Sequence, residues 1–99
     1  MKRVVIHSAA RAELDAAMEF YEGHAVGLGL DLETEVRKAT KKIQRNPELW
    51  PPHKRTGFRK YFVDRFPFTI FYMELADCIW VAGIAHGRRR PGYWRLRRR

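Results

Sequence analysis

Phe58-Arg59-Lys60-Tyr61-Phe62-Val63, Phe68-Thr69-Ile70-Phe71-Tyr72-Met73-Glu74 and Cys78-Ile79-Trp80-Val81-Ala82-Gly83-Ile84-Ala85 are three runs dense in aromatic and β-branched residues. Such residues suit a pleated, half-buried surface, so each run predicts a strand. The breaks between them, Asp64-Arg65-Phe66-Pro67 and Leu75-Ala76-Asp77, are short enough to close hairpins and too short for a crossover. Together they predict an antiparallel meander. Cys78, the one cysteine, falls inside the last run, where a small buried hydrophobe is expected rather than a reactive thiol.

Before the meander, Asn46–Gly57 carries Pro47, Pro51 and Pro52 and reads as an irregular connector whose Leu49 and Trp50 tuck against the core. The periodicity ahead of it is helical. Leu32, Val36, Ala39 and Ile43 repeat at 4-3-4 and stop before Asn46-Pro47, because proline disfavours a helical residue in front of it. An earlier helix, Ala9–Ala25, places Leu14, Ala17, Met18, Tyr21 and Ala25 on one stripe, with Glu13, Asp15, Glu19 and Glu22 largely opposite. Arg3–His7 is a short β-branched strand leading into it, and Ser8 is the expected N-cap. The order is therefore β-α-α-β-β-β, an α+β fold in which an antiparallel twisted sheet packs on an α-helical hairpin.

A chain of 99 residues with 45% hydrophobic and 13% aromatic content has room for one core, so residues 1–99 are expected to form a single domain. Val4-Val5-Ile6 is too short for a signal-peptide core and no run is long enough to span a bilayer, which makes a cytoplasmic location the expectation. The net charge is +9, and its distribution is uneven. Residues 1–50 carry eight Lys and Arg against eight Asp and Glu; residues 51–99 carry twelve against three. Lys38, Lys41, Lys42 and Arg45 need no functional role, since cations suit the last turn of a helix. The C-terminal segment 86–99 is different. It has seven arginines and no acid, the footprint of a surface for a polyanion or an acidic partner.

Within that segment, Arg88, Arg89 and Arg90 offer guanidinium forks for phosphate or carboxylate, and Tyr93 and Trp94 offer ring faces for stacking. Trp94 is also suited to folding back over the sheet after the turn at Pro91-Gly92. Arg59 and Arg65 are expected as basic neighbours of the segment across the sheet.

Here the chain resembles a known group of proteins. Ala12-x-Leu14 and Tyr21, Leu28-Gly29, Asn46-Pro47, Arg59, Phe66-Pro67-Phe68-x-Ile70-x-Tyr72, Ile84-Ala85-His86 and Arg90-Pro91-x-Tyr93-Trp94 follow one another at spacings similar to those of the RelE/ParE toxin superfamily. The resemblance implies the toxin of a type II toxin–antitoxin pair, neutralised in a hetero-oligomer by a cognate antitoxin that wraps its groove and sheet. It implies one of two targets: DNA gyrase, poisoned by binding in ParE-like members, or messenger RNA, cut on the ribosome by RelE-like members.

RNA cleavage through the 2′-hydroxyl needs a base, an acid and fixed cations around the transferring phosphate. Arg59 and Arg88–Arg90 are the candidates for charge, and His86 and Tyr93 for proton transfer, an imidazole being suited by its ordinary titration near neutrality. The nuclease pattern departs at Thr69, where such members usually carry arginine, and is matched only in part by Arg59 and Tyr61, where they often carry a lysine pair. The Phe-Pro-Phe-x-Ile-x-Tyr strand and the Arg-x-Pro-x-Tyr-Trp ending look closer to the ParE-like branch, which favours a binding toxin over an enzyme and makes His86 structural. A small nucleic-acid-binding module is a further alternative. The target-binding candidates are Arg59, Arg65, His86, Arg88, Arg89, Arg90, Tyr93 and Trp94. His7, His24 and His53 lack metal-site spacing, so neither metal nor other cofactor is expected.

Overall fold

In the computed structural model, which describes residues 1–87 and 92–97, the elements are β1 (Arg3–Ile6), α1 (Ser8–Glu22), α2 (Leu28–Arg45), β2 (Arg59–Phe62), β3 (Phe68–Glu74), β4 (Cys78–His86) and a 3-10 turn, Tyr93–Leu96. Every residue of β4 from Cys78 to Ala85 is buried, because this strand is central in the sheet and covered on both faces. The sheet runs β1-β4-β3-β2. β2, β3 and β4 form the antiparallel meander expected from their short connections.

β1 joins β4 in parallel, pairing Arg3 with Cys78 through Ile6 with Val81, so the sheet is mixed rather than antiparallel throughout. No short turn links these two strands. The helices carry the chain across one face to the far edge, and three meander strands then return β4 to the side of β1. Between Phe71 and Tyr72 the β4 partner steps from Gly83 to Val81, leaving Ala82 as the extra residue of a bulge.

His7, not Ser8, caps α1: its Nδ1 accepts the Ala9 N–H at 3.0 Å. α1 ends at Glu22, short of Ala25, and the Glu22 carboxylate reaches forward to accept the N–H groups of Gly27 (2.8 Å) and Gly29 (3.0 Å). Those donors would otherwise be orphaned at the start of α2. Gly29 also permits the helices to cross closely, since a Cβ there would lie 2.5 Å from the Met18 carbonyl oxygen.

The helical hairpin sets Leu14, Leu32, Val36, Ala39 and Ile43 against Tyr61, Ile70, Tyr72, Ile79, Val81 and Ile84 of the sheet. Trp50 packs edge-on against Tyr61, but Leu49 is 67% exposed, contrary to expectation. The Leu49 N–H closes a tight turn onto the Asn46 carbonyl, and in that turn only Trp50 reaches the sheet. A second apolar cluster occupies the opposite sheet face: Phe58, Cys78, Trp80, Ala82 and Trp94, with Val5, Phe71 and Met73 packed around them. Among the described residues, no helix is long and apolar enough to cross a membrane.

Candidate functional site: the groove on the helix-free face

The period of two along β2 sorts its side chains. Tyr61 faces the helices and is buried, which sends Lys60 and Phe62 to the opposite face, where both are exposed. On β3, Ile70 and Tyr72 go inward to the helices, while Thr69 and Phe71 share the face of Lys60. Trp94 lies flat on Phe71, with ring centroids 3.6 Å apart and planes 18° apart, and presents its edge to Phe58. A groove of about 640 Å³ results, lined among others by His53, Lys60, Phe62, Thr69, Phe71, His86, Tyr93 and Trp94. Among the described residues, no acidic side chain lines it. The Lys60 ammonium lies 5.9 Å from the Phe62 ring, and 67% of Phe62 is open to solvent. The surface is apolar and cationic together, suited to an anionic or acidic partner with apolar anchors.

The structure separates the residues singled out from sequence. Trp94 is packed into this face and is 7% exposed. His86 stands at the exposed end of β4 with its ring edge-on to Phe68, at 5.4 Å. Arg59 is not a neighbour of the tail. Being in phase with Tyr61, its guanidinium turns to the connector and donates to the carbonyls of Trp50 (2.5 Å) and Glu48 (3.3 Å). Arg65, in the β2–β3 turn with φ 69°, points to α2 and lies 3.6 Å from each of Asp31 and Glu35. Arg88, Arg89 and Arg90 lie outside the described residues.

Tyr93 is held by a different constellation. The Arg97 guanidinium meets the Glu13 carboxylate on α1 in a two-pronged pair, 3.0 and 3.1 Å, and also donates to the Ala82 carbonyl at 2.6 Å. The same carboxylate accepts the Ile84 N–H at 3.1 Å, and the Arg97 guanidinium lies over the Tyr93 ring at 4.9 Å. Burial pushes the Glu13 carboxyl up, but hydrogen bonds from Arg97, Tyr93 and the Ile84 N–H, with the Arg97 charge, outweigh it and leave the group below its ordinary value. Arg97 moves the opposite way: its hydrogen bond to Glu13 raises it against the cost of burial. Gly83 is the floor beneath the tail, since a Cβ there would already touch the Tyr93 hydroxyl and Trp94 Cβ at 3.4 Å.

Lys60, Glu13 and Arg97 are the residues that sequence reasoning missed. For Lys60 the signal was present, since alternation with a buried Tyr61 assigns it to the open face. For Glu13 and Arg97, 84 positions apart, no local pattern could have joined them. A second, shallower groove of about 610 Å³ runs between α1 and β4, lined by Ala12, Glu13, Ala16, Phe20, Ile84 and His86. Among the described residues, no group of three His, Cys, Asp or Glu side chains could hold a metal ion.

Residues 4–91 match the family model described as the ParE toxin of the type II toxin-antitoxin system, parDE. The fold is similar to that of a solved chain from the "Chromosomal ParDE TA system from P. aeruginosa", with a TM-score of 0.74 and 21% identity over 87% of this chain and 96% of that one. No curated protein sequence matches.

Proposed function

This chain belongs to the ParE toxin family of type II toxin–antitoxin systems, and from that membership we propose that it arrests growth by binding DNA gyrase in the cytoplasm and is held inactive by a cognate antitoxin. It acts as a binding protein, not as an enzyme. The observation that carries this choice is the fate of two groups an RNA-cutting centre would draw on. Arg59 is spent on connector carbonyls, and Tyr93 lies beneath Arg97, contributing a hydrogen bond to Glu13. Neither is presented to the groove as a free cation or a proton donor.

What remains on the open face suits recognition: Lys60, His86 and the edge of Trp94 around an apolar floor, with Arg88–Arg90 adjoining in sequence. These, with Tyr93, form the proposed target-binding set, and Arg59 and Arg65 leave it for structural roles. The groove along α1, with Phe20 61% exposed, is apolar surface of the kind a tightly bound antitoxin covers.

The test is to add the purified chain to a gyrase supercoiling reaction and, in parallel, to a cell-free translation reaction whose messenger is mapped for cleavage. Inhibited supercoiling that antitoxin reverses, with intact messenger, is the expected result. Ribosome-dependent cuts at unimpaired supercoiling would establish the nuclease reading instead.

A further inference from the structure

We propose that Glu13 is a positioning residue: through Arg97 it latches the C-terminal tail onto the sheet and thereby holds Trp94 as the wall of the open groove. The proposal deepens the binding-toxin reading by naming what keeps its binding face in shape. It begins with a backbone problem at β4. β1 covers β4 only from Cys78 to Val81, and the His7 N–H closes on the Val81 carbonyl. Beyond that point the bulge leaves the Ala82 carbonyl and the Ile84 N–H on an edge with no strand beside it among the described residues, and buried backbone groups of this kind require partners.

Glu13 supplies an acceptor for Ile84, and Arg97 supplies a donor for Ala82, while the two side chains pair with each other. Both are mostly buried, at 16% and 15% side-chain exposure. One carboxylate thus ties together α1, the β4 bulge and the tail.

Trp94 needs such a tie. Its indole N–H is buried without a hydrogen-bond partner among the described residues, so the tail carries an unmet polar group into the face it covers. Stacking on Phe71 favours the seated tail, and the latch three residues on closes it, with the Arg97 N–H also bonded to the Trp94 carbonyl at 3.0 Å. The pair is directional. Reversing the charges would set a cation against the Ile84 N–H and a carboxylate against the Ala82 carbonyl, so a swap cannot restore it.

The 99-residue chain, labelled with fluorotryptophan, gives one fluorine NMR resonance for each of its three tryptophans, and Trp94→Phe assigns the third. In Arg97→Ala and in Glu13→Gln, the Trp94 resonance is expected to shift toward its unfolded position or broaden while those of Trp50 and Trp80 stay in place. Arg97→Lys, which keeps a donor, is expected to hold it; Glu13→Arg combined with Arg97→Glu is not. If the tail is then seated one tenth of the time, potency in growth arrest falls about tenfold.

An unmoved Trp94 resonance in Arg97→Ala overturns the proposal, as does recovery in the swapped pair. Should Glu13→Gln lose all three native resonances, Arg97→Ala, whose change lies outside the helix-side core, decides alone. The spectra are recorded on the isolated chain, so they stand or fall independently of whether gyrase is the target.

Discussion

Tyr72→Phe removes one oxygen from the centre of the molecule, and its consequences can be worked out on both sides of neutrality. Tyr72 is fully buried on the helix side of β3, and its hydroxyl donates to the Pro47 carbonyl at 2.8 Å, tying the end of α2 and the connector to the sheet. At neutral pH the variant loses that bond and leaves Pro47 without its partner, a cost of about 1 kcal/mol that moves the urea midpoint down by roughly 0.5–1 M.

Burial, partly countered by the Arg59 charge and reinforced by Glu74, pushes the Tyr72 phenol up from 10.0 to about 12. At 1.36 kcal/mol per tenfold, the native state favours the protonated phenol by roughly 2–3 kcal/mol. Because the folded value is raised, this contribution is fully present below about pH 10 and is lost as pH climbs through about 12. Phenylalanine carries no such proton. The wild type therefore starts as the more stable protein, and its advantage shrinks and reverses as the phenol ionises. Urea unfolding followed by far-UV circular dichroism at several pH values between about 8 and 11.5 reads this directly. A constant gap between the two proteins across that range would refute the assignment of the shift to a buried, neutral Tyr72.

Three further outcomes follow from the placement of the cations and the cysteine. Arg59→Gln is expected to cost about 1.5–3 kcal/mol of stability, the worth of a charge-assisted hydrogen bond, in urea unfolding, while gyrase inhibition per folded molecule stays near wild type. Lys60→Glu is expected to weaken that inhibition by about tenfold or more, since reversing a charge in an acid-free groove opposes an acidic partner, whereas Arg65→Glu leaves it nearly unchanged; equal effects in titrated supercoiling assays would refute the division between the two faces. Cys78, fully buried, is expected to react with a thiol reagent only as fast as the chain opens and at once in denaturant; prompt labelling of the native chain would contradict its burial.

Much of the fold is legible because it rests on local rules. The aromatic and β-branched runs with short breaks gave the meander, and β3 runs from Phe68 to Glu74 as its composition predicts. The 4-3-4 spacing of Leu32, Val36, Ala39 and Ile43 named four residues of the buried α2 face. At the margins, competing groups decided. His7 displaced Ser8 as the cap because its ring nitrogen reaches the Ala9 N–H, and Leu49 was turned outward by the connector. The candidate site was legible in part: His86, Tyr93 and Trp94 do meet the open groove, while Arg59 and Arg65 belong to the helix side.

The sequence by itself determined where strands and helices form, that the second half holds the positive charge, and that the tail combines arginine with aromatic rings. Periodicity, proline and composition act within a few residues, so they can be read along the chain. Only the tertiary structure decided that β1 runs parallel to β4, that Arg59 and Arg65 turn to the connector and to α2, and that one tail arginine is bound to Glu13. Each depends on groups brought together across tens of residues. There the outcome is set by which backbone donors and acceptors are left at a sheet edge and which charged side chain can reach them.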